Sequence, residues 1–191
     1  MLNKILIDSF SKHIHLDINE EEIIEQHLVY KKIKKRQYFL HEHQTAQNSA
    51  FVISGCLRSY SIDENGSEHI LQFAPEKWWI TDMHSFISQG ASRLNIDALL
   101  DSEIYILSRE HQNKLFDLVP KLERYFRIIT EKALVSSRQR VLDTLELTAK
   151  ERYTKFCNVY PGLINSIPQK LIASYIGVTP EFLSKLRAEQ F

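Results

Sequence analysis

Between Ile167 and Arg187, polar side chains recur where a base edge or a phosphate could use them: Gln169, Lys170, Thr179, Glu181, Ser184, Lys185 and Arg187. Glu181 can accept from a cytosine amino group, Lys185 can donate to guanine N7 and O6, and Ser184 lies between them. Gln169, Lys170, Thr179 and Arg187 suit phosphates, which position a protein on a duplex without reading its sequence. Such chemistry needs two short helices held at a fixed angle. Leu171, Ile172, Tyr175 and Ile176 give one an apolar stripe; Phe182, Leu183 and Leu186 do so for the other. Between them Gly177 supplies a left-handed turn, Val178 plugs the inter-helix core, Thr179 caps, and Pro180 takes the first helical position. Ala173, four residues before Gly177, is small where the helices cross. The spacing predicts a DNA-binding helix-turn-helix with its second helix in the major groove. An ordinary helical bundle is the alternative reading of the same residues.

Other constellations are weaker. His41 and His43 stand two apart on what reads as one strand face, without a recognisable third ligand. Trp78 and Trp79, followed by Met83, His84 and Phe86, could line a small apolar pocket or simply pack in a core. Asp82 and His84 have no nucleophile at a recognisable spacing, so an enzyme is not expected. Cys56 and Cys157 are the only cysteines, which excludes a four-cysteine cluster or zinc site. No motif supports haem through any of the eight histidines, and no cofactor is expected.

The elements that position these residues change period along the chain. Leu2 to about Tyr30 is helix-prone, with Glu20–Glu22 as a solvated first turn. From Lys31 the period becomes two: Ile33, Tyr38–Leu40, Phe51–Ile53, Cys56–Leu57, Tyr60, Ile62 and Ile70–Phe73 are short β-branched and aromatic runs. Gly55 marks a bend, and Asp63-Glu-Asn-Gly66 is the turn of a hairpin. A looser stretch covers 77–95, after which Ile96–Leu100 and Ser102–Leu107 restore strand character. Short strands at this spacing predict a barrel or sandwich.

From Pro120 to Leu147 the spacing is helical, with Leu122, Phe126, Ile129, Ala133, Val141, Leu142 and Leu145 near one stripe. So long a helix suggests pairing with a second copy, and lying across its own barrel is the alternative. Thr148-Ala-Lys-Glu151 has the spacing of a capping box and restarts a helix there. Three segments follow: a sensor domain at 1–119, a connecting helix at 120–147 and a helix-turn-helix domain at 148–191.

With 43% hydrophobic and 25% charged residues the composition is that of a folded protein. No apolar stretch is long enough to span a membrane, and a cytoplasmic location is expected. The formal net charge is zero, but from Lys150 onward six basic residues face three acidic ones, so the C-terminal end is the basic one.

Over almost its whole length the chain resembles the Crp/Fnr family of bacterial transcription regulators. Phe51-Val-Ile-Ser-Gly-Cys-Leu-Arg-Ser-Tyr60 is similar to the family's aromatic-x-Ile-x-x-Gly-x-x-Arg strand, and Asp63–Gly66, Asp101–Leu107 and the helix-turn-helix also match. The resemblance implies an α+β fold: a cyclic-nucleotide-binding-like β-roll (double-stranded β-helix or jelly roll) flanked by helices, a long dimerisation helix, and a winged-helix-like helix-turn-helix. It implies a homodimer on double-stranded DNA, with RNA polymerase a further partner, a small-molecule effector in the roll, and no membrane. The effector pocket would involve Trp79, Thr81, Asp82, Met83, Ser92 and Arg93. Thr81 and Asp82 stand where the family carries Gly-Glu, and the family's phosphate-pairing Arg register falls on Ser92, with Arg93 one residue off. Cyclic-AMP binding is therefore not expected. Pro180 stands where an Arg commonly precedes the recognition-helix Glu, and Val159–Ser166 is short for a wing hairpin. A ligand-binding roll with a merely scaffolding C-terminus is the alternative function.

Overall fold

The chain begins with two short helices, α1 (Lys4–Ser11) and α2 (Ile18–Gln26), the second opened by a capping box in which the Asp17 carboxylate and Glu20 exchange hydrogen bonds. Eight strands follow: β1 (Val29–Ile33), β2 (Tyr38–Leu40), β3 (Asn48–Ser54), β4 (Cys56–Ile62), β5 (Glu68–Pro75), β6 (Trp79–Ile80), β7 (Asn95–Ala98) and β8 (Ser102–Ser108). Helix α3 (Met83–Ser88) interrupts them, and α4 (Arg109–Leu118), α5 (Lys121–Glu146), α6 (Ala149–Val159), a 3-10 turn at Pro161–Leu163, α7 (Gln169–Ile176) and α8 (Pro180–Ala188) complete the order. The computed structural model describes residues 3–188. They divide into two units, one of residues up to Ser61 with Leu71–Thr130, the other of Ile62–Ile70 with the chain from Glu131.

In the first unit the strands form two four-stranded antiparallel sheets, ordered β1-β8-β3-β6 and β2-β7-β4-β5. Successive side chains on a strand point to opposite faces. Ala50, Val52 and Ile104 therefore join the roll interior with Ile33, Leu57, Ile80, Phe86 and Ile96. Phe51, Ile53 and Leu107 point the other way, against Leu6, Phe10, Ile24, Leu115, Leu122 and Tyr125 of the flanking helices. Burial on both faces explains why β3 reads as an unbroken apolar run. Two glycines set the bends. Gly55 has φ +88, and a Cβ there would meet Ser102 and the Asp101 carbonyl. At Gly66 (φ +79) the hairpin turns, with the Asp63 carboxylate accepting from the Asn65 and Ser67 amides at 2.9 Å each.

The stretch expected to be loose at 77–95 holds β6 and α3. A two-residue strand and a six-residue helix are both too short to show a period. The reading of His41 and His43 on one strand face is corrected too: β2 ends at Leu40, His41 stacks on Tyr38 and His43 has φ +69. At the long helix, Phe126 and Ile129 pack against the unit's own apolar cluster and do not belong to a free stripe.

Candidate nucleic-acid interface

In the second unit α6 starts at Thr148, whose hydroxyl accepts from the Glu151 amide while Glu151 accepts from the Thr148 amide at 2.9 Å. The Thr148 hydroxyl, which also donates to Glu151 Oε2 at 2.7 Å, and the Thr148 amide hold the Glu151 carboxyl below its ordinary range. One turn on, Arg152 donates to the carbonyls of Ile176 at 2.8 Å and Leu147 at 2.7 Å. Its guanidinium thus serves two helix C-termini. Lys155 pairs with Asp143 at 2.6 Å, and the Asp143 carboxyl is lowered by its bonds to Gln139 and Lys155. Two of the six basic residues of the C-terminal end are thereby engaged internally.

Helix α7 buries Leu171, Ile172, Ala173 and Ile176 and ends at Gly177, φ 72 and ψ 46, whose N–H donates to the Ala173 and Ser174 carbonyls. The Val178 amide closes on Ala173 as well. No Cβ at Gly177 would meet any atom within 4 Å, so the left-handed backbone alone asks for glycine. Thr179 then caps α8 by accepting from the Phe182 amide at 3.2 Å. Leu183 and Leu186 are buried on the inner side of α8, and Glu181, Ser184 and Lys185 stand exposed on the outer side. Gln169 and Lys170 are exposed at the start of α7, Thr179 is exposed at the turn, and Arg187 is half-buried. The first turn of α7 thus carries Gln169 and Lys170, and α8 carries Glu181 in its first turn, Ser184 and Lys185 in the next and Arg187 near its end.

Phe182 departs from the expected pattern. It is 50% exposed, not part of the inter-helix core. Spacing alone could not separate it from Leu183 and Leu186, because it lies at the margin of their stripe.

The hairpin tip in this unit holds on to α7. Ser174 Oγ accepts from the Ile70 amide at 3.0 Å and donates to the Glu68 carbonyl at 2.6 Å, as a neighbouring strand would. Arg140 stacks over the Tyr175 ring at 4.7 Å and donates to the Ile70 carbonyl at 3.3 Å. Tyr175 also meets Tyr160 edge-on at 5.7 Å. After β8 no strand occurs among the described residues, so the helix-turn-helix has no wing hairpin there.

On α5 the apolar residues Leu134, Val135, Val141, Leu142 and Leu145 are all exposed, Leu145 at 77%. Their spacing of three, four and seven is that of a helix-pairing seam, with Arg138 inside it.

In the roll, the structure brings Asp82 and Ser92 together out of the six residues expected around an effector. Buried Asp82 caps α3, its carboxylate accepting from the His84 amide at 3.0 Å, the Ser85 amide at 3.3 Å and the Ser92 hydroxyl at 2.7 Å. Ser92 Oγ also accepts from the Leu94 amide at 3.0 Å. Thr81 donates to the Asn48 carbonyl. Trp79 belongs to the helix-facing cluster and donates to Tyr125 at 3.1 Å. Met83 and Arg93 are exposed. Across the other sheet Arg58 makes a buried bidentate pair with Asp97, at 2.7 and 3.0 Å, in the register that sets β4 against β7. The matching Arg of the motif strand is therefore structural.

A cyclic nucleotide-binding domain model matches residues 30–118. This segment is similar in sequence to that domain family. No curated protein matches the chain in sequence. Among solved structures, FixK2 from Bradyrhizobium japonicum is similar at 20% identity and a TM-score of 0.74, covering 85% of this chain and 83% of its own. The c-di-GMP responsive global regulator CLP from Xanthomonas campestris gives 14% and 0.73 over 91% of both chains. A protein assigned to the Crp/Fnr family of transcriptional regulators from Eubacterium rectale gives 17% and 0.68, over 92% of this chain and 84% of its own. The cyclic nucleotide-binding domain is thus followed by the C-terminal helices of a Crp/Fnr fold.

Proposed function

We propose that the chain is a DNA-binding transcription regulator of the Crp/Fnr type. The observation that carries this reading is α8, whose buried Leu183 and Leu186 turn Glu181, Ser184 and Lys185 outward from a turn fixed by Gly177 and Thr179. A helix so presented enters the major groove with its first turns on base edges. Lys170 and Gln169 take phosphates beside it, and Thr179 and Arg187 complete the contact set. The apolar face of α5 pairs with a second copy, so two recognition helices meet a pseudo-palindrome. Residues 1–119 then act as the sensor, 120–147 as the joint and 148–191 as the reader. Asp82 and Ser92, in the stretch that matches the family's phosphate-binding cassette, satisfy each other, which supports control by something other than a cyclic nucleotide.

Selection of bound duplexes from a random pool, followed by salt titration of the full chain, tests this. Log affinity should fall linearly with log salt, at about −0.9 per neutralised phosphate. Lys185→Ala should relax preference at one position per half-site at a loss of about 1–3 kcal/mol. Binding that is absent, or indifferent to salt, sinks the proposal and favours a ligand-binding roll on a helical scaffold.

A further inference from the structure

Resting on the reading of α8 as the groove-entering helix, we propose that Phe182 reads the 5-methyl group of a thymine in each half-site. Phe182 sits in the first turn of α8, its backbone held by the Thr179 hydroxyl at 3.2 Å. At 3.6 residues per turn, its side chain leaves the helix about 60° from Lys185 and about 40° from Leu186. It therefore borders the outward face, and half of its surface stays in solvent. Pro180, also exposed, lacks an N–H and offers no polar reach. The first turn thus presents apolar, acceptor, apolar in sequence: Pro180, Glu181, Phe182.

Of the groups on major-groove base edges, the thymine methyl is the apolar one, and phenylalanine is among the side chains that contact it. Polar neighbours cannot substitute for the ring in this contact. Glu181 and Lys185 select by hydrogen bonding at cytosine and guanine, whereas Phe182 adds a term that depends on one carbon atom. Exposed aromatic surface that costs free energy in the free protein becomes buried on DNA.

The probe is a selected duplex in which each thymine of one half-site is exchanged singly for deoxyuridine, which removes the methyl and nothing else. One exchange should weaken the wild type about fourfold, the burial free energy of one methyl group. Phe182→Ala should bind the thymine duplex more weakly and lose that discrimination, while Phe182→Leu keeps part of it. Because the ring is exposed, Phe182→Ala should retain the wild-type circular dichroism and melting midpoint. The inference is overturned if no exchange matters to the wild type, if Phe182→Ala discriminates as well as the wild type, or if it weakens every sequence alike. A wild type that binds DNA with the expected salt slope yet ignores the methyl overturns this inference alone. A wild type without salt-dependent binding overturns the regulator reading with it.

Discussion

Replacing Asp82 with alanine tests whether the cassette is held shut by its own side chains. The carboxylate does two jobs. As the N-cap of α3 it accepts from the His84 and Ser85 amides, and losing a cap costs about 1 kcal/mol. It also accepts from the buried Ser92 hydroxyl at 2.7 Å, and a hydrogen bond to a charged group contributes about 1.5–3 kcal/mol. Ser92 keeps the Leu94 carbonyl at 2.9 Å as another acceptor, so no stranded hydroxyl is added to the loss. The sum is about 2.5–4 kcal/mol, or roughly 5–15 °C in melting midpoint for a chain of this size. Trp78 and Trp79 are the only tryptophans and precede Asp82 in the same unit, so urea unfolding followed by their fluorescence reports this region. Asp82→Asn retains an acceptor for the two amides and should lose about half as much. A double-mutant cycle with Ser92→Ala should show coupling of about 1–2 kcal/mol. If Asp82→Ala falls within 0.5 kcal/mol of the wild type, about the error of such additivity, or the cycle is additive, the closed-cassette argument fails.

Val141→Glu, on the exposed face of α5, should leave folding intact and convert a sedimenting dimer into a monomer; a wild type that is monomeric at high micromolar concentration refutes the pairing. Ser174→Ala should accelerate hydrogen exchange at the Ile70 amide and destabilise the C-terminal unit by about 1–3 kcal/mol, whereas unchanged exchange would mean the clamp is idle. Burial pushes the Cys56 thiol up to about 12, so a thiol reagent at neutral pH should label half-buried Cys157 first and Cys56 only on unfolding. Above its ordinary 9.0 the unfolded chain releases that proton while the folded chain keeps it, so stability should fall as pH rises toward 12, less steeply in Cys56→Ala. Cyclic AMP or cyclic GMP at millimolar concentration should leave the melting midpoint unchanged; a clear rise would show that the cassette opens.

Local signals were legible in the sequence wherever the chain's own neighbours decide the conformation. The capping box at Thr148, the Asn65-Gly66 hairpin and the Gly177 turn are set by residues within a few positions of one another. Strand β3 was legible because burial on both faces leaves a continuous apolar run, and β8 because Ile104-Tyr-Ile-Leu107 is β-branched and aromatic. What was not legible depends on distant partners. Arg152 reads as surface charge, yet it is committed to a carbonyl 24 positions away. Ser174 reads as a filler on α7, yet its partner amide is 104 positions away. Ile129 and Leu145 look alike on the helical stripe, but Ile129 packs on an apolar cluster of its own unit and Leu145 is exposed. Asp82 was noticed for its chemistry, and its actual work as a cap needed a helix too short for any periodicity to announce.

The closed cassette also limits what could ever open it. A ligand that needs the Asp82 carboxylate or the α3 amides must first break bonds contributing about 2.5–4 kcal/mol, by the same cap and charged-bond magnitudes used for Asp82→Ala. At 1.4 kcal/mol per tenfold, that lowers its apparent affinity by roughly 60- to 700-fold. A cyclic nucleotide with intrinsic micromolar affinity would then bind only near millimolar concentration, before counting that Ser92 and Thr81 stand where the resemblance implies Arg and Gly. In the proposed dimer, the exposed α5 seam and the Ser174 clamp are then the elements on which a signal that sets the spacing of two α8 helices would act.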